Sequence, residues 1–433
     1  MKISRLHINK YKSITKPFTL NEPGKLHFFI GSNNAGKTNI LDAITQLYHD
    51  EVIRLSDKET KLSVTFSLRS KSGNILHVEQ QSGSKSFTLD KKKVQSEKAE
   101  KVLNHHIIRL CATTPISLTK LEEDFNTFKK KYPRVFQAFY SILKKYIPKI
   151  TLTADLLKSY TVKDDKSIQP FERLGAGFQQ VFMILMYLFH PQYTILLLEE
   201  PEIHLHPALV KKLLRVIENE NRYNQIFLTT HSPLFVRTTN LHRLFRVTKE
   251  QGSTKVFSPR LQGQHINYNR LKQELNADNT EMFFADKVLL VEGPSDHLLM
   301  RGLIDRFYVG DKDIKVIQTY GKSNIDIYAE LLNMFNIPYF VLLDRDALHD
   351  TGLQLLQRER KVLFKSSHAL TNKLKRQGIY VLPNGSIENN YPRKYQRRRK
   401  HKTQNALYAA SNISRSEYNS PTMKYLKEVI ESI

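Results

Sequence analysis

The sequence has a single cysteine, Cys111, among 433 residues. That excludes a disulfide or a cysteine-based zinc site within one chain, and it points to a reducing, cytoplasmic setting. Long apolar runs are missing too. The N-terminal stretch MKISRLHINKYKSITK has no continuous apolar core, so it does not read as a secretory signal. The most apolar region, VFMILMYLFHPQYTILLL, is broken by His190, Pro191 and Gln192. It reads as a buried helix end, a turn and a buried strand, not as a membrane span. Acidic residues are scarce: 42 against 67 lysines and arginines, a formal net charge of +25. An excess of that size favours an anionic partner, with nucleic acid first among the candidates. The hydrophobic share of 40% and charged share of 25% are ordinary for a globular protein. At roughly 100–200 residues per domain, the length suggests two or three domains.

Periodicity supplies the organisation. KISRLHINKYKSI alternates as an opening strand, and KLHFFIG is a second strand that feeds a Gly-rich loop and the helix KTNILDAITQLY. Residues 60–90 alternate in short runs broken by Ser-Gly pairs, the pattern of antiparallel hairpins. From about 91 to 160 the composition turns Lys-rich with helical spacing, which predicts an inserted helical arm with a solvated or nucleic-acid-facing basic side. Strand–helix alternation resumes at YTILLLEEPE and QIFLTTHSP. After a polar link it starts again with KVLLVEG, IKVIQTYG, PYFVLLDRDA and GIYVLPNG, each a short apolar strand with Gly, Asp or Glu at or just past its end. The expected fold is α/β: a P-loop ATPase domain over residues 1–275 with a helical insertion, a smaller parallel-sheet domain over 283–395, and a basic C-terminal segment over 396–433. The densest basic run in the chain, which includes Arg397 to Lys402, opens that last segment and is a candidate strand-holding patch.

GSNNAGKT, Gly31 to Thr38, fits G-x-x-x-x-G-K-[ST] between a predicted strand and a predicted helix. Loop and helix-start N–H groups point at phosphate there, and glycines allow close approach. Asn33, Asn34, Gly36, Lys37, Thr38 and Asn39 form the candidate nucleotide-binding set, with Lys37 neutralising the β and γ phosphates and the Thr38 hydroxyl on Mg²⁺. The strand ILLLEE ends in two carboxylates: Glu199 to support Mg²⁺ and Glu200 to orient or activate the attacking water. His231, after IFLTT, falls where it would contact the γ-phosphate. His204 and His206 read as turn residues packed beneath the site.

A second set of acids follows the later strands. Glu292 and Asp296 lie in VLLVEGPSD, Asp344 and Asp346 in YFVLLDRDA, and Glu388 in LPNGSIENNY. Parallel strands in one sheet bring their C-terminal ends together, and period-2 geometry lets Asp344 and Asp346 share one side of an extended chain. Five like charges there would repel unless cations sit among them, and hard oxygen ligands suit Mg²⁺ or Mn²⁺. Two such ions can activate water and stabilise the leaving oxygen of a phosphodiester.

Together, GSNNAGKTN, LGAGFQQ, LLLEEPEIHLHP and TTHSP resemble an ABC-type ATPase head of the branch shared with SMC-like and RecF-like proteins. The resemblance implies that Gly175, Gly177 and Gln179 bind ATP held by a second protomer, hence a homodimer or higher homo-oligomer. Gly175 stands where a serine is common in transporters and Glu199 where an aspartate is common. The first change removes a hydroxyl ligand and the second lengthens the metal arm by one methylene, so slow turnover is expected. E-G-x-x-D, TYGKSN and D-x-D resemble the Toprim domain, and an ABC-type head followed by Toprim resembles the OLD family of ATP-dependent endonucleases. That implies ATP and Mg²⁺ at one site, and Mg²⁺ or Mn²⁺ held by Glu292, Asp296, Asp344, Asp346 and Glu388 at the other. It also implies a phosphate-assisting lysine, for which Lys424 is the choice here, while Lys322 would position the loop or a phosphate. The implied substrate is nucleic acid, DNA before RNA, in prokaryotic anti-phage defence with a partner protein or RNA. A non-catalytic ATP-driven clamp or sensor is the alternative. A topoisomerase would need a DNA-gate domain with its tyrosine, for which no room remains.

Overall fold

The computed structural model describes residues 1–48, 61–67, 74–81, 84–114, 116–146, 150–152, 160–162, 171–220, 224–259, 275, 279–350, 352–360, 367–396 and 401–433. The chain divides into two units. The first comprises Met1–Val236 and Arg243–Ser258, and the second Arg237–His242 and Pro259–Ile433. The division thus falls ahead of the boundary expected near residue 275. Among the described residues no helix is long and apolar enough to cross a membrane.

Two six-stranded sheets build the first unit. One is antiparallel. Its strand Lys2–Asn9 pairs with Phe18–Asn21 on one side and Lys61–Ser67 on the other, and the hairpins Lys61–Ser67, Ile75–Gln81 and Ser84–Leu89 follow. Alternate residues of Lys61–Ser67 are buried, as a sheet with one covered face requires. The other sheet is mostly parallel. Leu26–Ile30 lies between Gln225–Thr230 and Leu244–Glu250, and Ile195–Glu199 follows Gln225–Thr230. Leu26–Ile30 and Gln225–Thr230 are buried at every position, the burial expected of central parallel strands. The helix Lys37–Gln46 buries Ile40, Leu41 and Ile44 in one apolar cluster that takes in Ile3, Leu6 and Ile8 of the antiparallel sheet and Leu197, Phe227 and Phe245 of the parallel one.

The stretch expected to be an inserted helical arm is only partly one. Helices do form at Ser96–His106, Leu118–Lys131 and Pro133–Tyr146. Between them, however, Ile107–Cys111 pairs in parallel with Ile195–Glu199 and becomes the edge strand of the parallel sheet. Nor do the helices stand clear of the core. Phe125, Phe128, Phe136 and Phe139 bury one face, with Phe139 and Phe182 ring centroids 5.7 Å apart. The hydroxyls of Tyr187 and Tyr193 both donate to Asp124 Oδ2, at 2.9 and 2.8 Å. Lysines on the opposite, solvated face dominate the composition of such amphipathic helices and hide the apolar stripe.

The second unit is built on a four-stranded parallel sheet in the order Ile314–Gln318, Lys287–Val291, Tyr339–Leu343, Ile379–Val381. The C-terminal segment, read as a separate basic stretch, belongs to this unit's core. Ala406, Ala409 and Ala410 of helix Lys402–Asn412 and Leu426, Val429 and Ile430 of helix Lys424–Ser432 share one cluster with Leu299, Leu303 and Leu342. Of the basic run Arg397 to Lys402, residues 397–400 lie outside the described residues, and Lys402 opens a helix. If this segment is core, Leu426→Ala should cost about 2–5 kcal/mol, read as a drop in the urea midpoint. A change within about 0.5 kcal/mol is what an exposed tail would give.

Candidate functional site

The candidate phosphate loop and acids follow the carboxyl ends of parallel strands in each unit. In the first unit, Leu26–Ile30 runs into the loop Gly31–Gly36 and then into helix Lys37–Gln46. Gly36 takes φ +95°, and a side chain there would meet Thr254 Oγ1 at 2.1 Å, so the turn tolerates only glycine. Thr254 donates to Ala35 O at 2.9 Å and lies 2.7 Å from Ser13 Oγ, which in turn accepts from Asn39 Nδ2 at 2.6 Å. Asn39 therefore pins the loop to the N-terminal strand region, a structural duty beside its expected role at nucleotide. Asn33 and Asn34 are exposed on the loop, with Asn34 at φ +64°.

Lys37 is buried, and its Nζ donates to Gly31 O at 3.1 Å and Ser32 O at 2.9 Å. Burial lowers its pKa, while the Glu200 carboxylate, 3.8 Å away, works the other way. Thr38 Oγ1 donates to Glu199 Oε1 at 2.7 Å, and the other Glu199 oxygen pairs with Arg109 at 2.6 Å. Glu200 adopts φ +43°, a conformation that non-glycine residues rarely keep without cause. That turn sets Glu200 Oε1 3.4 Å from His231 Nδ1. Glu202, not singled out in the sequence, is the most buried acid of the group. Its Oε1 accepts from Thr230 Oγ1 at 2.5 Å and from His231 N at 3.1 Å, and burial raises its pKa. Its signal was present as the third acid of EEPE. Glu202 Oε2 and His231 Nδ1 have no hydrogen-bond partner among the described residues. The loop with uncapped helix N–H groups, the cation, the hydroxyl beside a carboxylate and the unsatisfied imidazole together fit a nucleotide phosphate with its metal ion.

Gly175 caps the helix Ala176–Phe189, and open space surrounds the point where its Cβ would stand. A Cβ on Gly177 would meet His204 O at 2.5 Å. Gln179 Nε2 donates to the carbonyls of Phe171, Glu172 and Leu174 at 3.0, 3.1 and 2.9 Å. Two of the three residues expected to serve a second protomer thus also build this turn within their own chain. His204 and His206 lie in the turn and loop that follow the acids, as expected, and His206 Nδ1 accepts from Ala208 N at 3.3 Å.

In the second unit, Glu292 follows Lys287–Val291 and Asp344 follows Tyr339–Leu343. Glu292 Oε1 accepts from Asp344 N at 2.9 Å, a bond from one strand end to its neighbour. Asp296 sits in the first turn of helix Pro294–Phe307, where its Oδ2 accepts from Gly293 N at 2.9 Å. It is both a helix-start acceptor and a member of the acid group. The chain turns into a 3₁₀ helix at Arg345–His349, so Asp344 and Asp346 do not alternate along one extended strand. Asp346 instead leans outward and pairs with Lys322 Nζ at 2.5 Å. Glu388 lies in the turn Ile387–Asn390 after Ile379–Val381, with Lys402 Nζ at 3.6 Å.

Burial first, and the neighbouring carboxylates with it, pushes Glu292 and Asp296 up to about 7 and Asp344 up to about 6. The carboxylates that raise these three all belong to the five read from the sequence. Lys424 is not with them. It opens its helix with an exposed side chain and makes no ion pair with these acids among the described residues. The lysines that do reach them are Lys322 and Lys402. Among the described residues no three His, Cys, Asp or Glu side chains stand close enough to hold a metal ion. The donor set still has the right chemistry: hard oxygens, crowded and partly desolvated.

Comparison with known proteins finds family models that match parts of both units. Residues 283–346 match the family model "Overcoming lysogenization defect protein-like, TOPRIM domain". Residues 71–237 match "AAA domain, putative AbiEii toxin, Type IV TA system", and residues 1–108 match a further AAA domain. The chain is 29% identical over 240 residues to "Endonuclease GajA" of Bacillus cereus (strain VD045), covering 52% of this chain and 41% of that protein. It is 23% identical over 260 residues to "Old nuclease" of Escherichia phage P2, covering 54% and 43%. The matches therefore span less than half the length of these relatives. A solved SMC head bound to the C-winged helix domain of ScpA aligns with 60% of this chain and 98% of its own, at 16% identity and a TM-score of 0.48. With AAA-type ATPase domains followed by an OLD-like Toprim domain, the chain has the domain make-up of the OLD family of ATPase–Toprim proteins.

Proposed function

We propose that the protein is an ATP-regulated, divalent-metal-dependent nuclease that cuts nucleic-acid phosphodiesters in anti-phage defence. The observation that carries the reading is the hydrogen bond from Asp344 N to Glu292, which sets two strand-end carboxylates side by side within a group of five. Glu292, Asp296, Asp344, Asp346 and Glu388 would hold Mg²⁺ or Mn²⁺. Bound ions there supply an activated water and stabilise the leaving oxygen. Lys402 and Lys322 are the ammonium groups within reach of the acids, and Lys402 takes the phosphate-assisting role assigned to Lys424 from sequence. The net charge of +25 supports a polyanionic substrate, because phosphate neutralisation supplies most sequence-independent affinity. DNA is the preferred substrate, and a partner protein or RNA supplies the trigger.

At the first site Lys37 neutralises phosphate, Thr38 and Glu199 support the metal ion, Glu200 orients water, and His231 faces the γ-phosphate. ATP bound between two copies would draw Gly175, Gly177 and Gln179 onto the nucleotide. One observation favours a second reading, an ATP-driven clamp that grips without cutting: Asp346 and Glu388 are already paired with lysines.

The two readings separate by assay. Asp344→Ala should lower cleavage of plasmid or linear DNA in Mg²⁺ or Mn²⁺ by at least about 100-fold, because losing even an outer-sphere partner of a metal costs 10–100-fold. Wild-type cleavage by the variant refutes the site, and no cleavage by either protein while DNA is still bound favours the clamp. Lys37→Ala should abolish tight ATP binding, measured by calorimetry; unchanged affinity refutes the nucleotide site.

The acid group also predicts a pH dependence. Glu292, Asp296 and Asp344 keep protons in the folded state, at about 7, 7 and 6, that the unfolded chain releases near 4. Between those values the folded state binds more protons, so their contribution to stability falls as pH rises from about 4 to 7. Metal ions must displace the same protons. Mn²⁺ affinity without nucleotide should therefore weaken from pH 8 to pH 6, with proton release detectable by calorimetry in two buffers. Equal affinity at both pH values contradicts this.

A further inference from the structure

Four charged side chains in the first unit form a line of alternating sign that ends on the P-loop threonine. Lys12 Nζ lies 2.5 Å from Asp42 Oδ2, Asp42 Oδ1 lies 2.6 Å from Arg109 Nη1, and Arg109 Nη2 lies 2.6 Å from Glu199 Oε2. Glu199 Oε1 then accepts from Thr38 Oγ1 at 2.7 Å. Arg109 is the centre of the line, and no sequence motif contains it. It lies on the edge strand Ile107–Cys111, paired with Leu197 in register. Glu199 is two residues beyond Leu197 and so shares the face that Arg109 presents. Asp42 comes from helix Lys37–Gln46, which starts at the phosphate loop. One guanidinium thus joins the edge strand, the carboxylate strand and the phosphate-loop helix.

We propose that Arg109 is a positioning residue that holds Glu199 in its metal-supporting orientation and so compensates for the extra methylene of a glutamate at a place where an aspartate is common. A glutamate has one more rotatable bond than an aspartate, so its carboxylate has more ways to miss. The planar guanidinium removes that freedom: it binds Glu199 with one arm and is itself anchored by Asp42 on the other. The groups are mostly shielded from water, with side-chain exposures of 23% for Arg109, 17% for Asp42 and 13% for Glu199, so the pairing is not screened away. The consequence reaches Thr38. With its proton committed to Glu199 Oε1, the hydroxyl keeps its lone pairs for a cation. Released from Arg109, Glu199 would be free to swing off Thr38.

This inference rests on the first site being a nucleotide–metal site, and the experiment separates the two. Divalent-ion affinity is measured as Mn²⁺ binding, by electron paramagnetic resonance, to the full chain saturated with a non-hydrolysable ATP analogue. Affinity for the same analogue is measured in EDTA. R109Q should weaken Mn²⁺ binding about 10–100-fold, the range for outer-sphere partners of a metal ligand. It should change analogue affinity in EDTA less than about 3-fold, since residues outside one network act independently. In the E199D background, where the shorter arm needs no clamp, R109Q should cost less than about 3-fold in Mn²⁺ affinity. D42N, which frees the far arm of the guanidinium without removing it, should give an intermediate loss and serves if R109Q fails to fold. An equal loss from R109Q with Glu199 and in the E199D background, or Mn²⁺ affinity unchanged in both R109Q and D42N, overturns the proposal. Normal analogue affinity in K37A would instead overturn the nucleotide site itself.

Discussion

Glu292 accepts the backbone N–H of Asp344 at 2.9 Å, and the second site depends on that bond. The bond is possible because Lys287–Val291 and Tyr339–Leu343 are parallel neighbours, so both strands end at the same edge. Sequence distance becomes irrelevant at such an edge. Residues 52 apart in the chain meet across one hydrogen bond. The same constraint builds the first site, where Ile195–Glu199 delivers its acids beside Gln225–Thr230, which delivers His231, and beside Leu26–Ile30 one strand further on, which delivers the phosphate loop.

Gathering acids has a cost, and the two sites meet it with cations. Carboxylates that are buried together resist ionisation, as the upward shifts of Glu292, Asp296 and Asp344 record. Where side chains are free to choose, an ammonium or guanidinium stands against the acid: Lys322 at Asp346, Lys402 at Glu388, Arg109 at Glu199 and Lys37 near Glu200. These pairs offset the repulsion among the gathered acids. They also set the competition that any cation or phosphate arriving there would meet.

Much of this was legible in the sequence. The phosphate loop, the two strand-end acids Glu199 and Glu200, and the alternating hairpins of residues 60–90 each depend on local pattern, and local pattern survives folding. The misreadings share a cause. The Lys-rich stretch 91–160 looked like an arm because lysines outnumber the phenylalanines that anchor it, and the strand Ile107–Cys111 is too short to stand out between helices. The C-terminal segment looked basic and separate because its alanines and leucines are spaced for a helix face that shows itself only against Leu299 and Leu303. Asp344 and Asp346 were expected on one face of a strand, but the chain leaves the extended conformation after Asp344.

What the sequence determined by itself is the chemistry available: a nucleotide loop, acids after apolar strands, and a large positive excess. Spacing of two, four or eight residues encodes such features because the backbone is regular over that range. What only the tertiary structure decided is which cation stands beside which acid. Arg109 belongs to no motif, Lys402 was read as part of a basic run and not beside an acid, Glu202 was not singled out within LLLEEPEIHLHP, and Lys424, chosen from sequence, makes no ion pair with the acid group among the described residues. Ion pairs form over a few ångströms between elements that only sheet order and helix packing bring together. Strand order is set by burial summed over the whole sheet, and no short window of sequence contains that sum.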